Sequence, residues 1–248
     1  MGENGQESLS NLQEELAAAQ ERIAELEAEN RRLSRDAYQD RLTKAPNDRF
    51  FLLELEGYYE RAQKGLKGYL EIGYIDIDNL TIMNKTGGLG EKFTDRVLQW
   101  FFERLRHELP QEGITVGRWR KGDEAWTLRF KEGKFPSDYD PQGNESLDPT
   151  LEKAVKELVR NCENGEISFR DFLGKEMFSR LDLVSREVKD TLYPPTIEMF
   201  TFGVDLALVQ TMDLEAFRSL IVEKFYSASD VVEERKSVTR TKGANFNG

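Results

Sequence analysis

The segment YLEIGYIDIDN, from Tyr69 to Asn79, decides the fold of this chain. It is rich in β-branched and aromatic residues, which predicts a buried strand over Tyr69–Ile77. Asp76 and Asp78 lie at the end of this strand. A carboxylate at a buried strand end costs free energy unless a positive group pairs with it, and a hard divalent cation is one such group.

A second acidic position lies in the segment ITVGRWRKGDEAWTLRF, from Ile114 to Phe130. The segment predicts a hairpin of two short strands, Ile114–Arg118 and Ala125–Phe130, with Asp123 and Glu124 in the polar turn. Acidic strand ends that meet on adjacent strands would form a Mg²⁺ site, and this predicts metal-assisted phosphoryl or nucleotidyl transfer. The alternative is that both acids are solvated turn residues, as acids in turns usually are.

The rest of the chain alternates between helical and extended patterns. Helices are predicted at Asp48–Lys64, Glu91–Leu109, 150–162, 169–181, 183–190 and Leu214–Tyr226, and a further strand at Ile197–Val209. A loop is predicted over Pro136–Pro149, and a polar, basic tail over Ser227–Gly248. This alternation indicates one α/β layer structure, with helices packed on a sheet.

The N-terminal residues repeat in heptads. One seam position holds Leu9, Leu16, Ile23, Asn30 and Ala37, and the other holds Leu12, Ala19, Leu26 and Leu33. The spacing predicts a coiled coil over 9–39, preceded by a disordered segment 1–8. Because Asn30 is a single polar seam residue and Arg22 can reach Glu27 of a second helix, a parallel homodimer is favoured. A single solvated helix is the alternative.

Composition excludes several classes of protein. The 248 residues carry a net charge of -11, which argues against a nucleic-acid-binding surface. Cys162 is the only cysteine and His107 the only histidine, so a disulfide, a Cys/His metal site and a Ser-His-Asp triad are not expected. Since there is neither an apolar run of about 20 residues nor a signal peptide, we expect a cytoplasmic protein without membrane association.

Four motifs together resemble the GGDEF domain of the diguanylate cyclases, a family that joins two GTP into cyclic di-GMP. Residues 40–47, DRLTKAPN, resemble the family's opening D-x-L-T-x-x-P-N, and Asp76–Leu80 is similar to its D-x-D-x-F. Lys121–Ala125, KGDEA, stands where the family has G-G-D/E-E-F. The register of the family's A-D-x-A-L-Y-x-A-K-x-x-x-R is matched by Ala228, Val232, Lys236 and Arg240. The resemblance covers about Asp40 to Asn245.

The resemblance implies a metal and catalytic site. Asp76, the carbonyl of Ile77 and Glu124 would bind Mg²⁺ or Mn²⁺. Asp123 and Glu124 would act in catalysis.

The resemblance also implies a GTP site. Asn84 and Asp95 would read guanine, since a carboxylate can pair with the N1 and N2 donors of that base. Lys236 and Arg240 would hold the triphosphate, because residues one helical turn apart reach the same anion.

The signature loop departs from the family pattern. Lys121 and Gly122 are assigned to nucleotide binding, but Lys121 replaces a glycine, so its side chain either blocks the approach of the phosphates or donates to them. Ala125 replaces the closing phenylalanine, and Trp126 beside it is a candidate to fill the space.

Three further departures set limits on the resemblance. Thr81 stands in place of the usual lysine. Glu112–Thr115 lacks the R-x-x-D of the family's product-inhibition site, so no such inhibition is expected. The segment from about 131 to 195 is an enlarged helical insertion.

The expected fold is an α/β (α+β) sandwich of the nucleotidyl-cyclase, ferredoxin-like kind over 40–248, with a central antiparallel-mixed sheet. The expected function is condensation of two GTP across the dimer. One alternative is a degenerate domain that binds GTP without turnover and serves as a signalling module. Others are a cyclase with a different cyclic dinucleotide product and a structural adaptor. An upstream sensor or partner protein would supply the input.

Overall fold

The structure is a computed structural model that describes residues 3–86, 89–120, 122–140, 145–164 and 167–244. Of residues 3–14, 110, 111 and 238–244 it describes the backbone alone. The chain divides into two compact units, Met1–Gln39 and Asp40–Gly248.

The first unit is one helix, α1, which spans Glu3–Tyr38. It begins inside the segment 1–8 for which disorder is predicted, because the helix formers Gln6 and Glu7 continue the polar helical composition. Its apolar seam residues are between 49% and 60% exposed, namely Leu16, Ile23, Leu26 and Leu33. An exposed apolar stripe along a single helix is typical of a coiled-coil seam without its second strand.

The second unit is built on a four-stranded sheet. Its strands are β1 (Tyr69–Ile77), β2 (Thr115–Arg118), β3 (Glu124–Lys131) and β4 (Ile197–Asp205), in the order β2-β3-β1-β4. The described neighbours all pair antiparallel. The predicted ends of β1 are confirmed, and the strand is buried along almost its whole length because helices cover both faces of the sheet.

Helices form a layer on each face of the sheet. They are α2 (Asp48–Gln63), α3 (Leu80–Lys85), α4 (Gly90–Glu108), α5 (Pro149–Arg160), α6 (Phe169–Phe178), α7 (Arg186–Leu192), α8 (Leu206–Val209) and α9 (Leu214–Ala244). One core cluster joins α3–α7 to the sheet, and the other joins α2, α8 and α9 to the opposite face. Within the described part of the chain, no helix combines the length and the apolar character needed to cross a membrane.

Two elements end more than three residues away from their predicted ends. The strand predicted to reach Val209 ends at Asp205, whose side chain accepts a hydrogen bond from the backbone N of Ala207 (2.9 Å) and so begins α8. The last helix continues far beyond Tyr226, because Ala228 and Val232 extend its buried apolar face into the segment that reads as a polar tail.

Candidate active site

The acidic strand ends meet at one edge of the sheet. Asp76 at the end of β1 is the register partner of Glu124 on β3 and of Glu198 on β4. Side chains that are directly opposite on antiparallel strands share a face of the sheet. Asp76, Glu124 and Glu198 therefore lie on the same face of the sheet, the one that α9 covers.

Lys236 of α9 lies among these acids. Its Nζ is 2.5 Å from Oδ2 of Asp76 and 3.0 Å from Oδ1 of Asp78. Burial raises the pKa of Asp76 against the attraction of Lys236, and the neighbouring Asp123 raises it further. Burial opposes the charge on Lys236, but its bonds to the two aspartates outweigh burial and raise its pKa.

Glu124 is fixed from the side of β1. The hydroxyl of Tyr74 donates to Oε1 of Glu124 at 3.1 Å, and Ser229 donates to that hydroxyl at 3.2 Å. Burial raises the pKa of Glu124, the hydrogen bond from Tyr74 lowers it, and the nearby Asp123 raises it. Sequence reasoning missed Tyr74 and Ser229, since a tyrosine in a strand and a serine in a helix carry no distinctive signal.

The signature turn is braced by the opening motif. Arg118 donates from Nε to the carbonyl of Gly122 (2.8 Å) and from Nη1 to Oδ1 of Asp40 (2.9 Å). Asp40 also accepts from the backbone N of Thr43 (2.8 Å). Arg118 therefore bridges the two segments that carry the resemblance, 40–47 and 121–125.

Trp126 does not fill the place of the missing phenylalanine. Ala125 belongs to the core cluster on the α4 face, whereas Trp126 belongs to the cluster on the α9 face. Adjacent residues of a strand point to opposite faces, so the idea that Trp126 replaces that ring is wrong.

The residues expected to read guanine lie on two helices that pack together. Asn84 is exposed on α3, and Asp95 is half-buried on α4. Lys121 and the side chain of Arg240 lie outside the described residues.

The donor set at the strand ends suits a hard divalent cation. Two carboxylates, Asp76 and Glu124, with the carbonyl of Ile77 offer oxygen ligands, which Mg²⁺ prefers. Among the described side chains, no three His, Cys, Asp or Glu residues gather into a group able to hold a metal ion. Water and nucleotide oxygens would complete the coordination, as is usual for Mg²⁺.

Thr196, just before β4, orients Asp78, the residue that directly follows β1. Its hydroxyl donates to Oδ2 of Asp78 at 2.8 Å, and its carbonyl accepts from the backbone N of Asp78 at 3.0 Å. Sequence reasoning missed this residue because it lies at the far end of the long insertion.

A chain of ion pairs crosses the edge of β4 and was also missed. Arg235 of α9 contacts Glu152 of α5 at 2.9 Å. Lys156 contacts Glu152 at 2.9 Å and Glu198 at 2.6 Å. In the sequence, each of these residues looks like an ordinary solvated charge. The one available signal is that Arg235 stands where the family motif has alanine.

Described residues of the segment 131–195, which the sequence predicts to be an insertion, pack against α4. Trp100 and Arg104 of α4 both donate to the carbonyl of Ile167, at 2.9 Å and 3.1 Å. Arg96 donates to the carbonyl of Phe172 at 2.5 Å. The insertion therefore fixes the helix that carries Asp95.

A comparison with known protein families agrees with the resemblance seen in the sequence. Residues 37–128 match the family described as diguanylate cyclase, GGDEF domain. This match contains Asp76, Asn84, Asp95 and the signature loop and ends in β3, so Lys236 and Arg240 rest on their register alone. Among curated proteins, no relative matches the chain.

Two solved structures share the fold. The coiled coil and GGDEF domain of DgcB from Caulobacter crescentus, in complex with c-di-GMP, is 15% identical with a TM-score of 0.56, over 88% of this chain and 94% of that chain. Diguanylate cyclase SiaD from Pseudomonas aeruginosa, in complex with its activator SiaC, is 20% identical with a TM-score of 0.54, over 95% and 72%. The chain therefore contains a segment, residues 37–128, that matches the GGDEF-domain family model, and it shares the fold of these two solved structures.

Proposed function

We propose that the protein condenses two GTP into cyclic di-GMP, with one GTP and Mg²⁺ or Mn²⁺ held by each subunit of a homodimer. The observation that carries the proposal is the pairing of Asp76 with Glu124 at adjoining strand ends, with Lys236 in an ion pair with Asp76. Such a site holds positive and negative groups where a metal-bound triphosphate needs both.

The reaction is a double nucleotidyl transfer. The 3′-hydroxyl of each GTP attacks the α-phosphate of the other, two phosphodiester bonds form, and two pyrophosphates leave. A bound divalent cation would acidify the hydroxyl and offset charge at phosphorus. In this scheme Asp76, Glu124 and the carbonyl of Ile77 hold the cation, and Asp123 acts beside them in catalysis.

The remaining residues bind the nucleotide. Asn84 and Asp95 recognise guanine, and Lys236 and Arg240 neutralise the triphosphate. Lys121 and Gly122 bind the phosphates in this scheme.

A dimer is needed because each subunit supplies half of the reacting pair. The exposed seam of α1 supports a parallel coiled coil, which raises the effective concentration of the two half-sites. The same helix is a natural place for an upstream sensor or an activating protein to act.

A second candidate function is GTP binding without turnover, as a regulatory module. This second function is favoured by the bulky side chains at and next to the signature turn. Arg120 has a left-handed backbone (φ 52°), and Lys121 follows it where the family has glycine. Side chains at these positions restrict how closely the backbone approaches a phosphate.

The test is incubation of the full chain with GTP and Mg²⁺, followed by chromatography and mass identification of the products. Cyclic di-GMP should form, and it should disappear in Glu124→Gln and Asp76→Asn. Glu187→Gln, which changes an exposed carboxylate of α7, is the matched control and should retain activity. GTP that binds but stays unchanged would select the second candidate, and a chain that binds no GTP would reject both.

A further inference from the structure

Successive residues near the end of α9 contact different parts of the domain. Lys236 faces the acidic strand ends, whereas Arg235 reaches towards α5. Nη1 of Arg235 donates to Oε1 of Glu152 at 2.9 Å and to the carbonyl of Met199 at 3.1 Å. Its guanidinium carbon also lies 5.3 Å from the ring centroid of Phe200. The last turn of α9 with described side chains is therefore held on two sides.

The acceptor of this contact is itself fixed in place. Glu152 is only 14% exposed, and Lys156 bridges it to Glu198. Glu198 is in turn the register partner of Asp76. The ion pairs thus connect α9, α5 and β4 and end beside the carboxylate that Lys236 contacts.

We propose that Arg235 is a positioning residue of the nucleotide site. Its contacts fix the rotation of α9 about its axis and its position along that axis, so that Lys236 lies against the strand ends. The inference rests on the proposed function, in which Lys236 holds the triphosphate of GTP. The family motif has alanine directly before its lysine, so this ionic tether is a feature of this chain. In place of that alanine, this chain has a guanidinium that contacts Glu152, the carbonyl of Met199 and the ring of Phe200.

The tether acts on affinity because an α-helix turns by about 100° and rises by about 1.5 Å for each residue. A small rotation or shift of α9 therefore moves the ammonium group of Lys236 away from an anion. Arg235 also lines an opening of about 630 Å³ between α5 and α9, which leaves room for such a shift. Removal of its charge leaves Glu152 paired with Lys156, so no buried carboxylate is orphaned and the domain is expected to fold.

The experiment compares Arg235→Gln with Arg218→Gln in the full chain. Arg218 is the matched control, because it also lies on α9 and joins it to another helix, by an ion pair with Glu56 of α2, but at the opposite end of the helix. The affinity for GTP with Mg²⁺ is measured by calorimetry, together with Tm. We expect Arg235→Gln to weaken GTP binding by about five- to tenfold, the size of one ordinary hydrogen bond, and Arg218→Gln to leave it unchanged.

A double-mutant cycle tests whether the effect passes through Glu152. Because Glu152→Gln removes the same contact, the double variant should bind GTP about as well as Arg235→Gln alone. Arg235→Lys keeps the charge and should bind GTP with an affinity between those of the parent and Arg235→Gln. If Arg235→Gln does not fold, Arg235→Lys is compared with the parent in its place.

Two results would overturn the inference. One is parental GTP affinity in Arg235→Gln, and the other is an equal loss in the Arg218→Gln control, which would mean a general effect on stability. A parental chain that binds no GTP rejects the proposed function itself and the inference with it. That outcome is seen before any variant is made, so the two failures are distinguishable.

Discussion

Lys236 and Asp76, 160 residues apart in the chain, form an ion pair with 2.5 Å between Nζ and Oδ2. Their side chains are only 5% and 10% exposed, so each charge relies on the other in place of water. Asp78 supports the same ammonium group at 3.0 Å. A cation of the protein therefore lies against the carboxylate that the family resemblance assigns to a metal.

Lys236→Met should make the stability of the domain dependent on metal. The variant leaves Asp76 and Asp78 without their cation, which should cost about 3 kcal/mol or more of the free energy of unfolding. A divalent cation can replace the lost charge, so Mn²⁺ without nucleotide should raise the Tm of the variant more than that of the parent. Differential scanning fluorimetry with and without Mn²⁺ measures this.

Lys156→Met is the control for metal rescue. Lys156 also bridges two carboxylates, but one of them, Glu152, keeps Arg235 as a partner. The Tm of Lys156→Met should fall below that of the parent, and Mn²⁺ should restore little of the loss. Equal Mn²⁺ effects in the parent and in Lys236→Met would show that the carboxylates do not attract a cation.

Asp40→Asn should destabilise the domain in a pH-dependent way. Burial alone would raise the pKa of Asp40, but hydrogen bonds from Thr43 and Arg118 outweigh burial and lower it. A carboxyl group whose folded pKa is depressed adds stability above its unfolded pKa and loses it as the pH falls through the folded value. At pH 7 the variant should lose about 2 kcal/mol, the size of a hydrogen-bonded charge pair.

The measurement for Asp40 is Tm against pH for parent and variant. The gap between the two Tm values should narrow as the pH falls below the ordinary pKa of an aspartate, about 4, and through the depressed pKa of the folded parent. Asp138→Asn, at an exposed position, should show no gap. A gap of constant size over this range would mean that the charge of Asp40 does not stabilise the brace.

The sequence predicts the sheet well because its strands are locally unambiguous. Tyr69–Ile77 is rich in β-branched and aromatic residues, and a central strand covered on both faces needs such a composition. The end of α9 is harder to predict, because only one face of 227–244 is apolar and the rest is charged. Its helical continuation depends on the burial of Ala228 and Val232 against the sheet.

Candidate site residues are predictable where they stand in a motif and not where they act through tertiary contact. Asp76 and Glu124 are identified by their place at strand ends. Arg235 and Glu152 lie 83 residues apart in the chain, and each looks like a surface charge until α5 and α9 are placed on either side of β4. Their pairing is a consequence of topology, which local pattern does not encode.

Gly117→Ala should destabilise the hairpin that carries the signature loop. A Cβ at this position would lie 2.1 Å from Cζ2 of Trp126 and 2.6 Å from the carbonyl oxygen of Pro46, so both the ring and the backbone must move. We expect a loss of roughly 1–3 kcal/mol in the free energy of unfolding, as for other overpacked cores. Chemical denaturation measures the change.

Gly57→Ala is the control for the glycine substitution. Gly57 lies within α2, and its added Cβ would meet only Nη2 of Arg61 at 3.8 Å. Alanine in a helix interior should stabilise by about 0.5–1 kcal/mol. If Gly117→Ala left stability unchanged, the close packing of Trp126 over β2 would be excluded.

Asn30→Leu should change the assembly of the chain. Asn30 occupies a seam position between Ile23 and Ala37, and a single buried Asn there restricts a coiled coil to a parallel, two-stranded, in-register form at a cost in stability. Leucine should remove that restriction, so the variant should form more stable assemblies of mixed or higher order. Sedimentation equilibrium should show a dimer for the parent and a larger average mass for the variant. Ala28→Leu, which adds the same side chain outside the seam, should remain dimeric. If the parent, Asn30→Leu and Ala28→Leu all sediment as monomers, α1 is a single solvated helix, and the two half-sites need another route to meet.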